Sequence, residues 1–324
     1  MSLNRVGVVI LNFNSAEDTI NCVGSVKASA YPHIDPIVVV DNGSSQSCLD
    51  KLRNELNTSG KTVLIELGAN YGFSAGMNRG IEFAKKAGAD SVLLLNNDTI
   101  METDCIQHLV QTSQRSDAVG IVAPKIRDFE KPRVICFAGS RPGLQYPKQR
   151  GIGQVDRGQY DRLEKIEFAS GCAFLMTDRA FNKVGLLDER FFFGGEDREI
   201  SFRCTKAGLD IWYEPRAVIY HKNAATRKRI PQPERLYIGY LTQLFLIKKM
   251  KSRCIWLGWY GAYALYLLTI FPLRLALTSG IGMTYWESLC AAWSAWAFAY
   301  GAERAYPRKR IVVEPLRQMN DGKN

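Results

Sequence analysis

The chain has 324 residues, of which 46% are hydrophobic and 23% are charged. These proportions are ordinary for a folded globular protein and exclude a disordered chain, and the length favours one large domain with an appendage. The formal net charge of +10 is unevenly placed, because from Pro231 onward the chain has twelve basic and five acidic residues. We therefore expect an anionic partner for the C-terminal region, and we expect no nucleic-acid partner.

The eight cysteines are spread along the chain without a C-x-x-C pair, so they predict reduced thiols of a cytosolic protein rather than a zinc site or a disulfide framework. Near the N-terminus, the apolar run Val6–Leu11 is too short for a signal peptide and leads directly into polar residues. We therefore expect a cytoplasmic protein.

The first hundred residues alternate between strand and helix signals. Short apolar, β-branched runs predict four buried strands, and amphipathic stretches between them predict three helices. This order favours an α/β fold with a mostly parallel sheet flanked by helices, in which ligands bind beyond the carboxyl ends of the strands. The predicted strands are Val6–Leu11, Pro36–Val40, Val63–Glu66 and Val92–Leu95, and the predicted helices are Ala16–Ala28, Leu49–Leu56 and Ser74–Ala87.

Three of these strands run directly into polar residues. They are followed by Asn12–Ser15, Asp41–Ser44 and Asn96–Asp98. Asn and Asp residues often form turns and helix caps after a strand, and for any one strand that explanation is as good as a functional one. Three such ends at one edge of a sheet favour a cleft for a polar ligand.

The sequence after about residue 120 shows less regular alternation of strand and helix signals. Pro124–Glu167 predicts a long connection with short strands, and order returns at Phe168. We predict a strand at Phe168–Thr177, a short helix at Asp178–Val184, a helix between Gly195 and Gly208, and two short strands at Leu209–Tyr213 and Ala217–Tyr220.

Four places in the sequence have side chains suited to chemistry. Asp98 offers a hard oxygen ligand for Mg²⁺ or Mn²⁺, and Asp41 is able to accept a hydrogen bond from a nucleobase or ribose. The paired carboxylates of Glu196 and Asp197 follow two glycines, and His221 closes a strand. Each also has a structural explanation, since acids are common in first helical turns and a single histidine after a strand is usually a surface residue.

The last ninety residues predict a separate helical, aromatic-rich and basic region, so we expect domains at 1–230 and 231–324. No charged residue lies between Arg253 and Arg274, and a second uncharged stretch, Ser288–Ala302, precedes the basic cluster Arg308–Arg310. Tyrosines, tryptophans and flanking cations favour an element lying on an anionic membrane surface. Packing on the core or on a second copy of the chain, as in a homodimer, and a true membrane span are the alternatives.

Seven blocks in order give the chain a resemblance to glycosyltransferase family 2. The blocks are VVILNFNS, VVVDNGSS, NYGFSAGMNRG, LLLNNDT, FASGCAFLMTDRAF, VGLLDERFFFGGEDREISFR and IWYEPRAVIYH, and they extend from about Val6 to His221. The resemblance implies a GT-A fold, which is Rossmann-like. Within the family the chain is most similar to the bacterial rhamnosyltransferase-type enzymes of O-antigen, capsule and cell-wall synthesis.

The resemblance also implies roles for individual residues. Asp197 matches the catalytic base, with Glu196 beside it for the acceptor, and Asp98 and His221 match metal ligands. Asn96 stands where the family's D-x-D motif has its first acid, which leaves one carboxylate for Mg²⁺ or Mn²⁺. The residues expected to bind the nucleotide sugar are Asn12, Asn14, Asp41, Asn70, Gly76, Asn78, Arg79, Asn96 and Asn97.

The implied reaction is a single displacement that inverts the sugar. The implied donor is a nucleoside diphosphate sugar, with dTDP-L-rhamnose first and a UDP-sugar second. The implied acceptor is a saccharide on a polyprenyl diphosphate, which places the protein peripherally on the inner face of the plasma membrane.

Three other functions fit the sequence less well. A nucleotidyltransferase needs a glycine-rich, basic loop after the first strand, where this chain has NFNSAED. A dehydrogenase needs G-x-G-x-x-G at the same place. A non-catalytic nucleotide-sugar-binding subunit remains an alternative, but the intact NND and GGED blocks favour an enzyme.

Overall fold

The computed structural model describes residues 4–56, 60–143, 147–222, 232–279 and 283–301. The chain divides into two compact units, one formed by residues 1–189 with 196–223 and the other by residues 190–195 with 224–324. The predicted basic cluster Arg308–Arg310 and the last residue of Ser288–Ala302 lie outside the described residues.

The first unit begins with regular alternation of strands and helices. Its described elements are β1 Val6–Asn12, α1 Ala16–Lys27, β2 Ile34–Asp41, α2 Gln46–Leu56, β3 Thr62–Glu66, α3 Phe73–Lys86, β4 Ser91–Asn96, β5 Thr99–Met101, α4 Cys105–Ser113, β6 Val119–Asp128, β7 Ile135–Phe137, β8 Ser140–Arg141, β9 Lys148–Gln149, β10 Glu164–Ile166, β11 Ala173–Thr177, α5 Asp178–Val184, α6 Glu196–Lys206 and β12 Asp210–His221.

One large mixed sheet organises these elements in the order β10-β12-β6-β11-β4-β1-β2-β3. The strands β4, β1, β2 and β3 are parallel, and so are β6 and β12, whereas β11 runs antiparallel between β4 and β6. The predicted α/β fold class is confirmed. The first four predicted strands and first three predicted helices are also confirmed, each within three residues of its predicted bounds.

Both faces of the sheet are buried. In β1, Val6, Val8 and Ile10 belong to the core on one face, whereas Val9 belongs to the core on the other. A strand covered on both faces must be apolar at every position, which explains why the parallel strands appear as continuous hydrophobic runs in the sequence.

The prediction of two short strands after Leu209 is wrong, because a single strand, β12, runs from Asp210 to His221. Its register against β6 shifts between Glu214 and Val218, as in a β-bulge. Pro215 and Arg216 look like a turn in the sequence. In the fold, the buried Glu214 carboxylate accepts hydrogen bonds from the Arg216 amide and guanidinium, which hold the bulge within the strand.

From residue 232 onward the described part of the second unit is helical. Its helices are α7 Gln232–Met250, α8 Arg253–Leu268, α9 Ile270–Ser279 and α10 Met283–Gly301. Aromatic contacts join them, since the Tyr260 and Trp296 rings stack 4.5 Å apart and the Trp296 indole donates to the Tyr260 carbonyl at 2.9 Å. Among the described helices none is by itself long and apolar enough to cross a membrane, although α8 and α9 together, bent by 47°, have the length and composition.

Helix α3 packs unusually closely on the sheet. A Cβ at Gly80 would lie 2.3 Å from a Val9 methyl group and 3.0 Å from a Val40 methyl group, and a Cβ at Gly76 would lie 2.5 Å from a Leu11 methyl group. Glycine is therefore needed at both positions for the helix to reach the strands.

A matched pair of substitutions tests this packing. We expect Gly80→Ala to destabilise the protein by about 1–3 kcal/mol, because the added methyl group must displace buried backbone or side chains. Gly24→Ala on α1 makes the same change where nothing lies within 4 Å, and should stabilise the helix by about 0.5–1 kcal/mol. Urea unfolding of both variants measures the difference, and equal midpoints would contradict the close approach.

Candidate active site

The polar strand ends meet at one edge of the sheet. In the register of the parallel strands, Asn12 at the end of β1 is paired with Asp41 at the end of β2, and Leu11 is paired with Asn96 at the end of β4. Parallel strands finish at the same edge, so the side chains that the sequence placed in three separate segments become neighbours.

A buried hydrogen-bond network joins the first two strand ends. The Asn12 amide donates to Asp41 Oδ1 at 2.7 Å and to Ser44 Oγ at 2.9 Å, while its oxygen accepts from the Thr19 hydroxyl at 2.8 Å. Asp41 Oδ2 accepts from the Gly43 and Ser44 amides at 3.2 and 3.0 Å, and Asp41 Oδ1 also accepts from Ser44 Oγ at 2.5 Å. The Asp41 carboxylate thus has four donors: two backbone amides, the Asn12 side-chain amide and the Ser44 hydroxyl, whose hydrogen is free to turn to another acceptor.

The loops after β1 and β3 are tied to this network. Asn14, with a φ of 51°, donates its backbone amide to Ser44 Oγ at 2.8 Å, and its side-chain oxygen accepts from the Ser45 amide at 2.8 Å. Asn42 donates to Asn70 Oδ1 at 3.1 Å. Asn14 and Asn70 therefore shape the loops beside Asp41.

The three predicted nucleotide-sugar-binding residues on α3 make contacts in different parts of the fold. Gly76 lies against Leu11 and allows the helix to approach β1. The buried Asn78 amide donates to the Leu187 carbonyl at 2.9 Å and to Glu189 at 3.1 Å, and Arg79 pairs with Glu82 at the surface at 3.2 Å. The structure does not join Asn78 or Arg79 to the Asn12–Asp41 network.

Asp98 and His221 are in direct contact although 123 positions separate them in the sequence. Asp98 Oδ1 lies 3.0 Å from His221 Nε2, and the two side chains are 17% and 16% exposed. Strand β5 pairs with the end of β12 and places Thr99 opposite His221, which brings Asp98 to the ring. Asn97, the neighbour of Asp98, donates to the Thr19 hydroxyl at 3.0 Å and so connects this pair to Asn12.

The Asp98–His221 pair has the donor chemistry of a divalent-cation site. Burial alone would lower the pKa of His221, but Cys172 and Asp98 beside the ring outweigh it and raise the pKa to about 11. The imidazolium thus holds the place of a cation next to Asp98, and a metal that took both side chains as ligands would replace that proton. No group of three or more metal-ligating side chains occurs among the described residues, and Mg²⁺ in proteins usually keeps several waters and binds substrate phosphates beside one or two carboxylates.

Glu196 and Asp197 begin helix α6, and both are buried. Asp197 Oδ2 accepts from the Gly171 amide at 3.0 Å, and Oδ1 accepts from the Arg198 amide at 2.8 Å. A Cβ at Gly171 would lie 3.2 Å from the Asp197 Cβ and 3.4 Å from Glu196 Oε1. Glycine at position 171 therefore makes room for both carboxylates, and each Asp197 oxygen keeps capacity for a further donor.

Gly171 and Cys172 connect Asp197 with the Asp98–His221 pair, and no pattern in the sequence pointed to either residue. Gly171 holds Asp197 through its amide, and the side chain of the next residue, Cys172, interacts with His221. The predicted strand Phe168–Thr177 begins only at Ala173, which leaves these two residues in a loop at the sheet edge. No spacing in the sequence could have revealed the contact, since it depends on β11 lying beside β4.

Comparison with known proteins gives this arrangement a context. Residues 4–235 match the model of the family described as glycosyltransferase like family 2. The chain is similar to the low-salt glycan biosynthesis hexosyltransferase Agl10 of Haloferax volcanii, with 24% identity over 78% of each chain. It is also similar to the N-acetylglucosaminyl-diphospho-decaprenol L-rhamnosyltransferase of Mycobacterium tuberculosis (26% identity, 76% of this chain and 81% of that one) and to the dTDP-rhamnosyl transferase RfbF of Shigella flexneri (25%, 66% and 71%).

Solved structures share the fold. The mannosyltransferase PcManGT of Pyrobaculum calidifontis, in complex with GDP-Man and Mn²⁺, aligns with a TM-score of 0.55 at 15% identity over 91% of this chain and 87% of that one. GalNAc-T7 with UDP, GalNAc and Mn²⁺ aligns with a TM-score of 0.58 at 18% identity over 68% of this chain, which spans 44% of the GalNAc-T7 chain. The family model covers more than half of the present sequence, and the chain therefore belongs to glycosyltransferase family 2 and is a glycosyltransferase.

Proposed function

We propose that the chain transfers a sugar from a nucleoside diphosphate donor to a saccharide acceptor with inversion, and that Asp197 is the base. The observation that supports this most directly is the Gly171–Cys172 dipeptide, which holds Asp197 with one residue and contacts His221 with the next. Gly171 and Cys172 are consecutive, so one short stretch of chain contacts both the proposed base and the proposed cation site. A base and a cation site held by the same loop suit a reaction in which a hydroxyl attacks the carbon that carries a diphosphate.

Each group of residues then has a separate role in the proposed reaction. Asp197, kept in place by the Gly171 and Arg198 amides, takes the proton from the acceptor hydroxyl. Asp98 and His221 would hold a Mg²⁺ or Mn²⁺ ion, which when bound would supply positive charge to stabilise the departing diphosphate. The Asn12–Asp41 network frames the nucleoside, and a nucleobase N–H reaches Asp41 when the Ser44 hydroxyl rotates away.

For the donor we propose dTDP-L-rhamnose, with a UDP-sugar as the second candidate. Two relatives are named as rhamnosyltransferases, one of them for a dTDP donor. The UDP alternative is supported by GalNAc-T7, whose structure contains UDP. For the acceptor we propose a diphosphate-linked saccharide on a lipid, because the mycobacterial relative is named for such an acceptor.

We further propose that the helical second unit binds an anionic membrane surface through α8 and α9. Five large apolar side chains on these helices are 60–79% exposed: Leu265, Leu268, Ile270, Leu273 and Leu277. Lys248, Lys249, Lys251 and Arg253 immediately precede or begin α8. Apolar side chains next to a group of cations are typical of elements that lie in the interface of anionic lipid. In α10, Ala292, Ala295 and Ala299 are buried, whereas Trp286 and Tyr300 are 61% and 57% exposed.

The first prediction tests the base. Asp197→Asn should leave the dissociation constant of the donor nearly unchanged and lower kcat by a factor on the order of 10²–10⁴, because the amide cannot accept the proton. Asp117→Asn, a matched change at a fully exposed position, should leave both quantities unchanged. Transfer assays and donor titrations measure them, and near wild-type turnover in Asp197→Asn would assign the base elsewhere.

The second prediction tests the cation site and the nucleotide together. Calorimetric titration with Mn²⁺ present should give tighter binding of dTDP than of UDP, and EDTA should weaken both. In Mn²⁺, the Asp98→Ala variant should bind nucleotide no more tightly than the wild-type protein does in EDTA, because a principal metal ligand is lost.

Another Asp–His pair provides the control for this experiment. Asp104 and His108 lie 3.2 Å apart on the surface of α4, so Asp104→Ala should behave as wild type. Tight UDP binding without dTDP binding would exclude the rhamnose donor. Nucleotide affinity that is unchanged both by EDTA and by Asp98→Ala would exclude the metal role.

The third prediction tests the membrane surface. Full-length protein should sediment with vesicles of anionic phospholipid, and high salt should release only part of it, because each basic residue contributes about 1 kcal/mol that salt screens. Leu273→Glu should weaken the salt-resistant part. Ile152→Glu, at a residue of similar exposure in the first unit, should not.

Two results would contradict this surface. The protein could fail to sediment with vesicles and elute as a dimer that Leu273→Glu dissociates. That result would show that a second copy covers the leucines. Protein that resists both salt and alkaline carbonate would show that α8 and α9 span the bilayer.

A further inference from the structure

A basic cavity of about 420 Å³ lies at the carboxyl end of β6, and none of the candidate active-site residues lines it. It is formed by the end of the strand and by two loops. Its volume falls within the range of small-molecule sites, about 300–1,000 Å³. The lining residues are Arg127, Pro132, Arg133, Val155, Asp156 and Arg157.

The charges of this cavity do not cancel. The Asp156 side chain is 5% exposed, and its Oδ2 lies 2.9 Å from Lys125 Nζ and 2.6 Å from an Arg127 nitrogen. This carboxylate is therefore neutralised from within the protein. Arg133 and Arg157 are exposed, and neither forms an ion pair with any residue that the structure describes. Two guanidinium groups thus remain to attract an anion.

The strand that leads to the cavity is paired with the strand that ends at the proposed cation site. Asp128, the last residue of β6, is paired with His221 at the end of β12. The next residue, Phe129, donates its amide to the His221 carbonyl at 3.0 Å and begins one of the loops that form the cavity. The loop that bears Arg133 is therefore anchored to the strand that ends in His221.

The order of the strands places the cavity on the acceptor side of the sheet. The nucleoside residues Asn12 and Asp41 end β1 and β2, which lie on one side of β4. Asp197 is held at the start of β11, on the other side of β4, and β6 follows β11. An acceptor whose hydroxyl reaches Asp197 from the side opposite the donor would extend along the sheet edge toward β6, the strand at whose end the cavity lies.

We propose that Arg133 and Arg157 bind the diphosphate group through which the acceptor sugar is linked to its carrier. The proposal rests on the transferase function proposed above. A neutral saccharide would leave two guanidinium groups unused, whereas a diphosphate offers several anionic oxygens in the geometry that the guanidinium fork prefers. Arg127 positions Asp156 and, with it, the loop that bears Arg157.

Geranyl diphosphate is a probe that has the diphosphate and a short isoprenoid but no sugar. Its dissociation constant is measured by calorimetry on the full-length protein with Mn²⁺ and saturating dTDP, so that the donor's own diphosphate site is filled. Arg133→Gln and Arg157→Gln should each weaken binding about tenfold, and the double variant about a hundredfold, because each loses charge-assisted hydrogen bonds. Lys86→Gln removes one positive charge from an exposed position on α3 and should leave binding unchanged.

The other outcomes overturn the proposal. Equal binding by the wild-type protein and the double variant, or no binding at all, would exclude the two arginines. Binding that dTDP abolishes would place the probe in the donor site. Inorganic pyrophosphate binding as tightly as geranyl diphosphate would identify a site for a free anion rather than for a carrier-linked acceptor. If the proposed donor assignment fails, neither dTDP nor UDP binds, and the same variants are then titrated without nucleotide, which still reports on the arginines.

Discussion

The arrangement at the sheet edge depends on the hydrogen bond from the Gly171 amide to Asp197. This bond requires a residue without a side chain at position 171, because a Cβ there would crowd both carboxylates of the α6 N-terminus. It also requires β11 to run antiparallel between β4 and β6, so that its start lies where β4 ends. The antiparallel strand therefore brings the proposed base to the edge at which the parallel strands present their polar residues.

The polar residues at that edge also hold one another in position. Buried amides and carboxylates are costly unless they are hydrogen-bonded, and Asn12, Asp41 and Thr19 satisfy each other almost completely. The same residues extend to Asn97 and hence to the Asp98–His221 pair. A prearranged polar surface of this kind lowers the cost of ordering a charged ligand.

The two compact units present different surfaces to their surroundings. The first unit buries both faces of its sheet and has its chemistry at one edge, with a basic cavity at the end of β6. The second leaves a row of leucines exposed on α8 and α9 while its aromatic rings pack against one another. The first surface suits polar and anionic ligands and the second suits an apolar partner.

The sequence by itself determined the α/β alternation, the first strands and helices, and the polar residues that end β1, β2 and β4, because buried parallel strands and their loops leave a local signal. The tertiary structure alone decided which of those residues meet. Asp98 and His221 are brought together by the pairing of β5 with β12, and Cys172 reaches His221 through the position of β11. Local patterns also mistook the bulge at Pro215 for a break, since the Glu214 contacts that keep the strand continuous form only in the folded chain. Likewise, the sequence could not show which side chains of its uncharged stretches are exposed. Leu273 and Leu277 of α9 and Tyr300 of α10 are exposed whereas Ala292 and Ala295 of α10 are buried, because burial depends on the neighbouring helices.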